Sequence, residues 1–256
     1  MRAEEEVKIE QKSHWDRVFA EETAFFGEKP SDYSRKALEL FQREGVREVL
    51  ELGCGQGRDT FYFARNNLRV AALDYAETAV DTLEEKAAEA GLSASINACA
   101  HDVRQPLPFP EASFDACYSH MLLCMDLSAD EIAFILGEIR RVLRPGGLVL
   151  YSVRSNFDKH YRTGRYLRED TYQIGGFAVH FFTLEKIRRY AEGYTLLAVD
   201  RMEEGSLPRD LYCVTLRKPL AKNQGETTEF INPFESSQED FDAEKDCKPE
   251  PDPGRT

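Results

Sequence analysis

Three glycines at alternate positions, Gly53, Gly55 and Gly57, follow the short apolar run Val49-Leu-Glu-Leu52 and lead into a helical pattern with Thr60, Phe61, Phe63 and Ala64. A strand that turns through such glycines has no side chains on the inner surface of the turn. A ligand can then lie against amide N–H groups at a helix N-terminus. Glu51 stands just before the first glycine, where a carboxylate would oppose a pyrophosphate but suit a cationic amino-acid group. Asp74 ends the next apolar run, and a carboxylate there can accept both hydroxyls of a ribose. Asp102 follows the third run; it can receive the amino group of an adenine, with Val103 offering backbone groups and apolar contact. Each acid alone also reads as a solvated strand end or a helix cap. Three in this order behind a glycine turn do not. Position 58 is arginine, so the third glycine of the dinucleotide fingerprint is missing, as is the Gly-Lys-Ser/Thr of a phosphate-binding loop.

The elements that must hold these residues alternate. Apolar runs at residues 47–52, 68–74, 95–100, 114–119 and 148–153 read as strands. Ser128-Ala-Asp-Glu131 is a capping box, and Ile132, Ile135, Leu136, Ile139, Val142 and Leu143 follow it at helical spacing until Arg144-Pro-Gly-Gly147. A second helix, capped by Thr183, leads to strands at 194–199 and 211–216. This rhythm predicts an α/β fold with a mostly parallel, Rossmann-like sheet and helices on both faces. Two regions fall outside it. Residues 1–45 hold two candidate helices, starting at the capping box Ser13-His-Trp-Asp16 and at Ser31, and form an N-terminal cover. Residues 154–182, rich in Arg, His, Tyr and Phe, show neither period and read as a lid-like insertion beside the C-terminal edge of the sheet, where such folds bind ligands.

The main domain is expected over residues 46–218. Residues 219–256 carry ten acids, four bases and five prolines, which predicts a disordered acidic tail; Phe230, Phe234 and Phe241 interrupt its polarity, with a docking peptide as the alternative reading. With 33 Lys and Arg against 46 Asp and Glu, the net charge is −13, which disfavours nucleic acid and anionic membrane surfaces as partners. Six cysteines without a C-x-x-C pair read as reduced thiols. With no apolar leader at the N-terminus and no run long enough to cross a bilayer, the expected location is the cytoplasm.

The ordered set resembles the class I S-adenosylmethionine-dependent methyltransferases over about residues 10–218. Glu51-Leu-Gly-Cys-Gly-Gln-Gly57 is similar to the first motif of that family, Asp74 to its ribose-binding acid and His101-Asp102-Val103 to its adenine segment. Phe114-Asp115 through Ser119-His120 resembles its fourth-strand motif, and Arg141-Val-Leu-Arg-Pro-Gly-Gly147 the turn before its fifth strand. The resemblance implies a seven-stranded sheet with the last strand antiparallel, S-adenosylmethionine as cofactor, and cofactor contacts from Glu51, Gly53, Gly55, Gly57, Asp74, Tyr75, Asp102, Val103 and Ser119. The DNA-amino-methylating Pro-Pro-aromatic motif and the cytosine-C5 Pro-Cys nucleophile are both missing after the fourth strand, where Ser119-His-Met-Leu-Leu-Cys124 stands instead. The compact layout looks more like the small-molecule branch, including the tellurite-resistance and thiopurine types.

Methyl transfer from a sulfonium is an in-line displacement that an aligned, dry pocket accelerates, so few catalytic side chains are needed. A general base matters only for an acceptor that arrives protonated. His120 is the best-placed candidate, with an orienting role as the alternative; His160 and His180 are lesser ones. The expected acceptor is a small soft nucleophile, a thiol, chalcogen or metalloid species, in a pocket formed by His120, Cys124, Arg154, Tyr161 and His180. No metal site is expected. Trp15, Phe25 and Phe26 either close over the cofactor or pack within their helix face. Arg154, Tyr161, Arg165, Tyr166, Arg209 and Tyr212 either select an anionic or aromatic substrate or, the reading the sequence favours, pair with Asp158, Glu169 and Asp170 in a solvated loop. The competing functions are a protein or RNA methyltransferase, a catalytically silent cofactor-binding module and, more remotely, a nicotinamide oxidoreductase. Oligomeric state is left open.

Overall fold

The computed structural model describes residues 2–22, 24–205 and 209–220, with the side chains of 2–10 left undescribed. The acidic tail expected at 219–256 lies, beyond Leu220, outside the described residues. In chain order the elements are α1 (Arg2–Glu21), α2 (Asp32–Glu44), β1 (Glu48–Leu52), α3 (Arg58–Arg65), β2 (Arg69–Asp74), α4 (Glu77–Glu89), β3 (Ile96–Ala100) and β4 (Phe114–His120). They continue with α5 (Ala129–Val142), β5 (Leu143–Arg154), β6 (Arg165–Arg168), β7 (Thr171–Ile174), β8 (Phe177–His180), α6 (Leu184–Tyr190), β9 (Thr195–Glu204) and β10 (Arg209–Arg217).

Seven strands form one sheet in the order β3-β2-β1-β4-β5-β10-β9, and only β10 runs antiparallel to its neighbours. The order reverses at β1, whose Glu51 pairs with Ala72 on one side and Tyr118 on the other. That switch point opens the crevice in which ligands bind in such sheets. One face is buried under α5 and α6 with Ile132, Ile135, Leu136, Ile139 and Ile187, the other under α2, α3 and α4 with Phe41, Phe63 and Leu83. Each of these side chains contributes about 1.5–3 kcal/mol by leaving water. The capping box at Ser128 and Glu131 forms as the sequence predicts, Ser31 caps α2, and Thr183 caps α6.

Three expectations need correction. Ser13 does not start a helix; it lies inside α1, because the Glu- and Lys-rich stretch before it is made of strong helix formers that carry the helix through. Strand β5 begins at Leu143, directly after α5, so Arg144-Pro-Gly-Gly147 belongs to the start of the strand. The insertion at 154–182 is an ordered three-stranded antiparallel sheet, β6-β7-β8, whose four-residue strands are too short to show a period. Gly175 and Gly176, at φ of 57° and 87°, turn β7 into β8, and this Gly-Gly pair between two apolar runs was the available signal. The insertion supports the cover: Gln11 Oε1 accepts from the Ala178 N–H at 3.2 Å, and Trp15 packs on Phe177 at 4.9 Å.

Candidate functional site

The glycine turn is closed from both sides. The Gly53 and Cys54 N–H groups both donate to the Leu73 carbonyl, at 2.8 and 3.1 Å, so the turn is fastened to the end of β2. Asp74 completes the closure: one carboxylate oxygen accepts the Gly55 N–H and the other the Ala76 N–H, each at 2.9 Å. A carboxylate oxygen has lone pairs beyond one N–H, so Asp74 keeps acceptor capacity toward the cavity it lines. Burial pushes its pKa up against the pull of those N–H bonds. A Cβ at Gly53 would come within 3.0 Å of Leu122, and one at Gly55 within 3.4 Å of Phe19 in the cover. At Gly57 it would meet Leu83 at 2.8 Å. Gly57 is thus required by helix packing; it does not line the cavity, which corrects its assignment as a ligand contact.

The cavity, about 690 Å³, lies over the C-terminal edge of β1, β2 and β4 and is roofed by Trp15, Phe19, Phe25 and Phe26. Gln56 ties roof to turn: its Oε1 accepts the Phe25 N–H at 3.0 Å, while Nε2 donates to the Phe19 and Glu22 carbonyls at 3.2 and 2.6 Å. Below, the Ser31 N–H and Oγ donate to the two oxygens of Asp59 at 2.7 and 2.8 Å, which Tyr118 also reaches at 3.0 Å. This network fixes the start of α2 against the first turn of α3.

Glu51 faces the cavity from β1, 3 % exposed, and accepts from Thr60 Oγ1 at 2.6 Å. Burial, then the charge of Asp59, pushes its pKa up to about 8, so it gains much from a cation placed beside it. Tyr75, Asp102 and Val103 line the far wall. Asp102 is gripped by Arg104, whose Nε donates at 2.9 Å and Nη2 at 2.5 Å. Burial opposes ionisation of Asp102, but the Arg104 hydrogen bonds prevail and hold its pKa below the usual carboxylate range. An adenine amino group would share Asp102 with that guanidinium. Ser119 is turned away: it is buried, outside the lining, and donates to the Leu52 carbonyl at 3.1 Å.

His120 lines the other end of the cavity. Its Nδ1 is 2.7 Å from Ser152 Oγ, which also accepts the Met121 N–H at 3.1 Å. Its Nε2 is 3.1 Å from Oε2 of Glu204, which accepts no aligned hydrogen bond. The other oxygen of Glu204 takes a hydrogen bond from Arg58 at 3.1 Å. Burial raises the pKa of Glu204, but His120 and Arg58 outweigh it and keep the carboxylate ionised more easily than usual. The imidazole of His120 is thus held between a hydroxyl on one nitrogen and a carboxylate on the other. Sequence reasoning missed Glu204, Ser152, Asp59 and Gln56, and used Arg58 only to reject a fingerprint.

Of the other predicted pocket residues, Arg154 is at the cavity, buried, and held by Asp158 through two bonds of 2.8 and 2.7 Å. Three predicted members are not. Cys124 is wholly buried, donates to the Met121 carbonyl, and has its pKa pushed up to about 11 by burial, so it offers no thiolate. Tyr161 lies outside the lining and donates to Asp170 at 2.8 Å. His180 is buried beside Lys186, whose Nζ is 2.9 Å from Nε2; burial, then that cation, lowers its pKa to about 3. Enclosed away from the cavity and weakly basic, it is not placed to serve as the base.

Among the described residues, no group of three or more His, Cys, Asp or Glu side chains could hold a metal ion, and no helix is long and apolar enough to cross a membrane. The donors that do converge suit a vicinal diol, a purine and a cationic amino-acid group: acids end three adjacent strands, and the turn that would face a pyrophosphate is bordered by Glu51 and Asp74.

Residues 49–147 match the family described as "Methyltransferase domain". A malonyl-[acyl-carrier protein] O-methyltransferase of Serratia marcescens is 30% identical over 123 residues, 47% of this chain and 44% of that protein. A tRNA N(3)-cytidine methyltransferase of Bos taurus is 28% identical over 203 residues, 69% of this chain and 52% of that protein. The chain spans about half the length of the curated relatives it matches. Among solved structures, the 1,6-didemethyltoxoflavin-N1-methyltransferase of Burkholderia thailandensis superposes with a TM-score of 0.66 at 23% identity, over 84% of this chain and 90% of that one. Residues 49–147 are thus a methyltransferase domain, set in the fold of the class I S-adenosylmethionine-dependent methyltransferases.

Proposed function

We propose that the chain transfers the methyl group of S-adenosylmethionine to a small-molecule acceptor bound against His120. The observation that carries this reading is one cavity with two unlike ends: Glu51 and Asp74 at the glycine turn, and His120 between Ser152 and Glu204 at the other. Asp74 would hold the ribose hydroxyls, Glu51 the ammonium, Val103 and Asp102 the adenine, and the Gly53–Gly55 backbone would pass alongside. The cofactor supplies an electrophilic methyl on a sulfonium. The protein's part is to align the acceptor, exclude water with the aromatic roof, and take a proton at the His120 imidazole when the acceptor brings one. The acceptor's lone pair forms the new bond to carbon as the carbon–sulfur bond breaks, and neutral S-adenosylhomocysteine departs.

A thiol is the favoured nucleophile, because it is reactive near neutral pH with modest assistance. Metalloid chemistry loses its support with Cys124 enclosed in the core. A second reading, transfer to RNA, draws on the relative whose tRNA-modifying activity is part of its name and whose match covers 69% of this chain; the net charge of −13 opposes it. The test is S-adenosylhomocysteine formation with a panel of thiols, phenols, amines, carboxylic acids and unmodified tRNA. Turnover with a small molecule supports the proposal. Turnover confined to tRNA would replace it with the second reading.

A further inference from the structure

Along the C-terminal edge of the sheet, the strand order β1-β4-β5-β10 brings Glu51, His120, Arg154 and Arg209 to one cavity. The series runs from acid through imidazole to two cations. The anions near its cationic end are already engaged. Asp158 receives two hydrogen bonds from Arg154, and its oxygens also accept the His160 and Asp210 backbone N–H groups at 2.9 Å each. Glu204 is shared by Arg58 and His120. Asp210 is held by Arg201 and Ser155. Arg209 is half-buried at the wall of the cavity, and among the described residues its guanidinium has neither a hydrogen bond nor an ion pair. Burial and the charges of Arg154 and Arg58 all disfavour its protonated form. In a chain of net charge −13, a guanidinium is kept here among two other cations instead of beside one of the many acids.

We propose that Arg209, flanked by Arg154, binds a carboxylate carried by the methyl acceptor. The proposal rests on the methyltransferase reading above and names its substrate class: a small acid whose nucleophilic atom lies at His120 and whose carboxylate lies toward β10. A guanidinium presents a planar fork that matches a carboxylate in geometry as well as charge. Arg154 is rigidly held by Asp158 and stacked over Phe181 at 5.5 Å, so it contributes field at a fixed position while Arg209 is the group with donors to spare. The cofactor's own carboxylate is the competing occupant. It shares a carbon atom with the ammonium assigned to Glu51, and β10 stands three strand spacings from β1, about 14 Å at ~4.8 Å each. That span favours the acceptor, whose nucleophilic atom lies at His120 on the intervening β4, as the group that reaches Arg209.

The experiment uses the full chain saturated with S-adenosylhomocysteine. Three acid and amide pairs, mercaptoacetate with mercaptoacetamide, 3-mercaptopropionate with its amide, and thiosalicylate with its amide, are titrated by ligand-observed NMR onto the parent and Arg209→Gln proteins. The expected result is that at least one acid binds about 10-fold or more tightly than its amide, and that Arg209→Gln erases this preference while S-adenosylhomocysteine affinity changes less than about twofold. Equal binding of acids and amides, or no binding of any acid, overturns the proposal. A loss of S-adenosylhomocysteine affinity in Arg209→Gln also overturns it and assigns the guanidinium to the cofactor's carboxylate. Failure of the parent to bind S-adenosylhomocysteine at all is a separate result that removes the methyltransferase reading beneath it.

Discussion

The two ends of the cavity are built differently. The cofactor end is made by residues that are near in sequence: Glu51, Gly53 and Gly55 sit within five positions, and Asp74, Tyr75, Asp102 and Val103 follow at the ends of the next two strands. The acceptor end gathers Arg58, His120, Ser152, Arg154, Glu204 and Arg209 from five elements spread over some 150 positions. The first end is held mainly by backbone, with two N–H groups on Leu73 and two on Asp74; the second is held by side-chain charge pairs. Backbone geometry binds a constant ligand, whereas side chains on separate strands can be exchanged one at a time to change the acceptor.

Substitutions should separate the two ends. The largest effect is expected at His120: its replacement by alanine should lower turnover about 10²–10⁴-fold for an acceptor that must lose a proton and far less for a low-pKa thiol already ionised. A uniform loss across the thiol series would make the residue an orienting group. Next comes Asp74→Ala, which leaves the ribose hydroxyls unpaired and should weaken S-adenosylhomocysteine binding by about 1–3 kcal/mol, measured by calorimetry, with acceptor preference unchanged. Gly57→Ala should act on stability and not on ligand contact, because a Cβ meets Leu83 at 2.8 Å and φ is 85°. A loss of about 1–3 kcal/mol in denaturant unfolding is expected; an unchanged midpoint would return Gly57 to the ligand.

The smallest effect is a slope. Glu51 has a folded pKa of about 8, above its ordinary value of 4.5, so the native state keeps a proton that the unfolded chain has lost. Its contribution is full below about pH 4.5 and fades as pH rises through 8, so stability should decline across that window. Glu51→Gln has no such proton and should flatten the decline in melting temperature between pH 5 and 8. An identical profile in both proteins would place Glu51 in a wetter setting than the cavity provides.

The same contrast explains what could be read from the residues alone. Glycine spacing, strand-end acids, the capping box at Ser128 and the N-cap at Thr183 are local patterns, and the sheet and the cofactor end followed from them. His120 was legible because it ends a strand at the switch point. Glu204 was not: it lies beyond the apolar part of β9, on a strand extension that carries polar residues and shows no period. Cys124, Tyr161 and His180 looked like pocket residues because their segments surround the site, yet Cys124 and His180 turn into packed interior and Tyr161 turns to Asp170. Burial direction within an insertion depends on strands of four residues, too short to announce which side faces the ligand.

The central claim is that the glycine-turn end of this cavity holds S-adenosylmethionine. Calorimetric titration of the parent chain and Asp74→Ala with S-adenosylhomocysteine, and of the parent with NADH, tests it directly. The account predicts 1:1 binding of S-adenosylhomocysteine to the parent, about 5- to 150-fold weaker binding to Asp74→Ala, and no competitive binding of NADH. Equal affinity in parent and variant, or tighter binding of NADH, would contradict it.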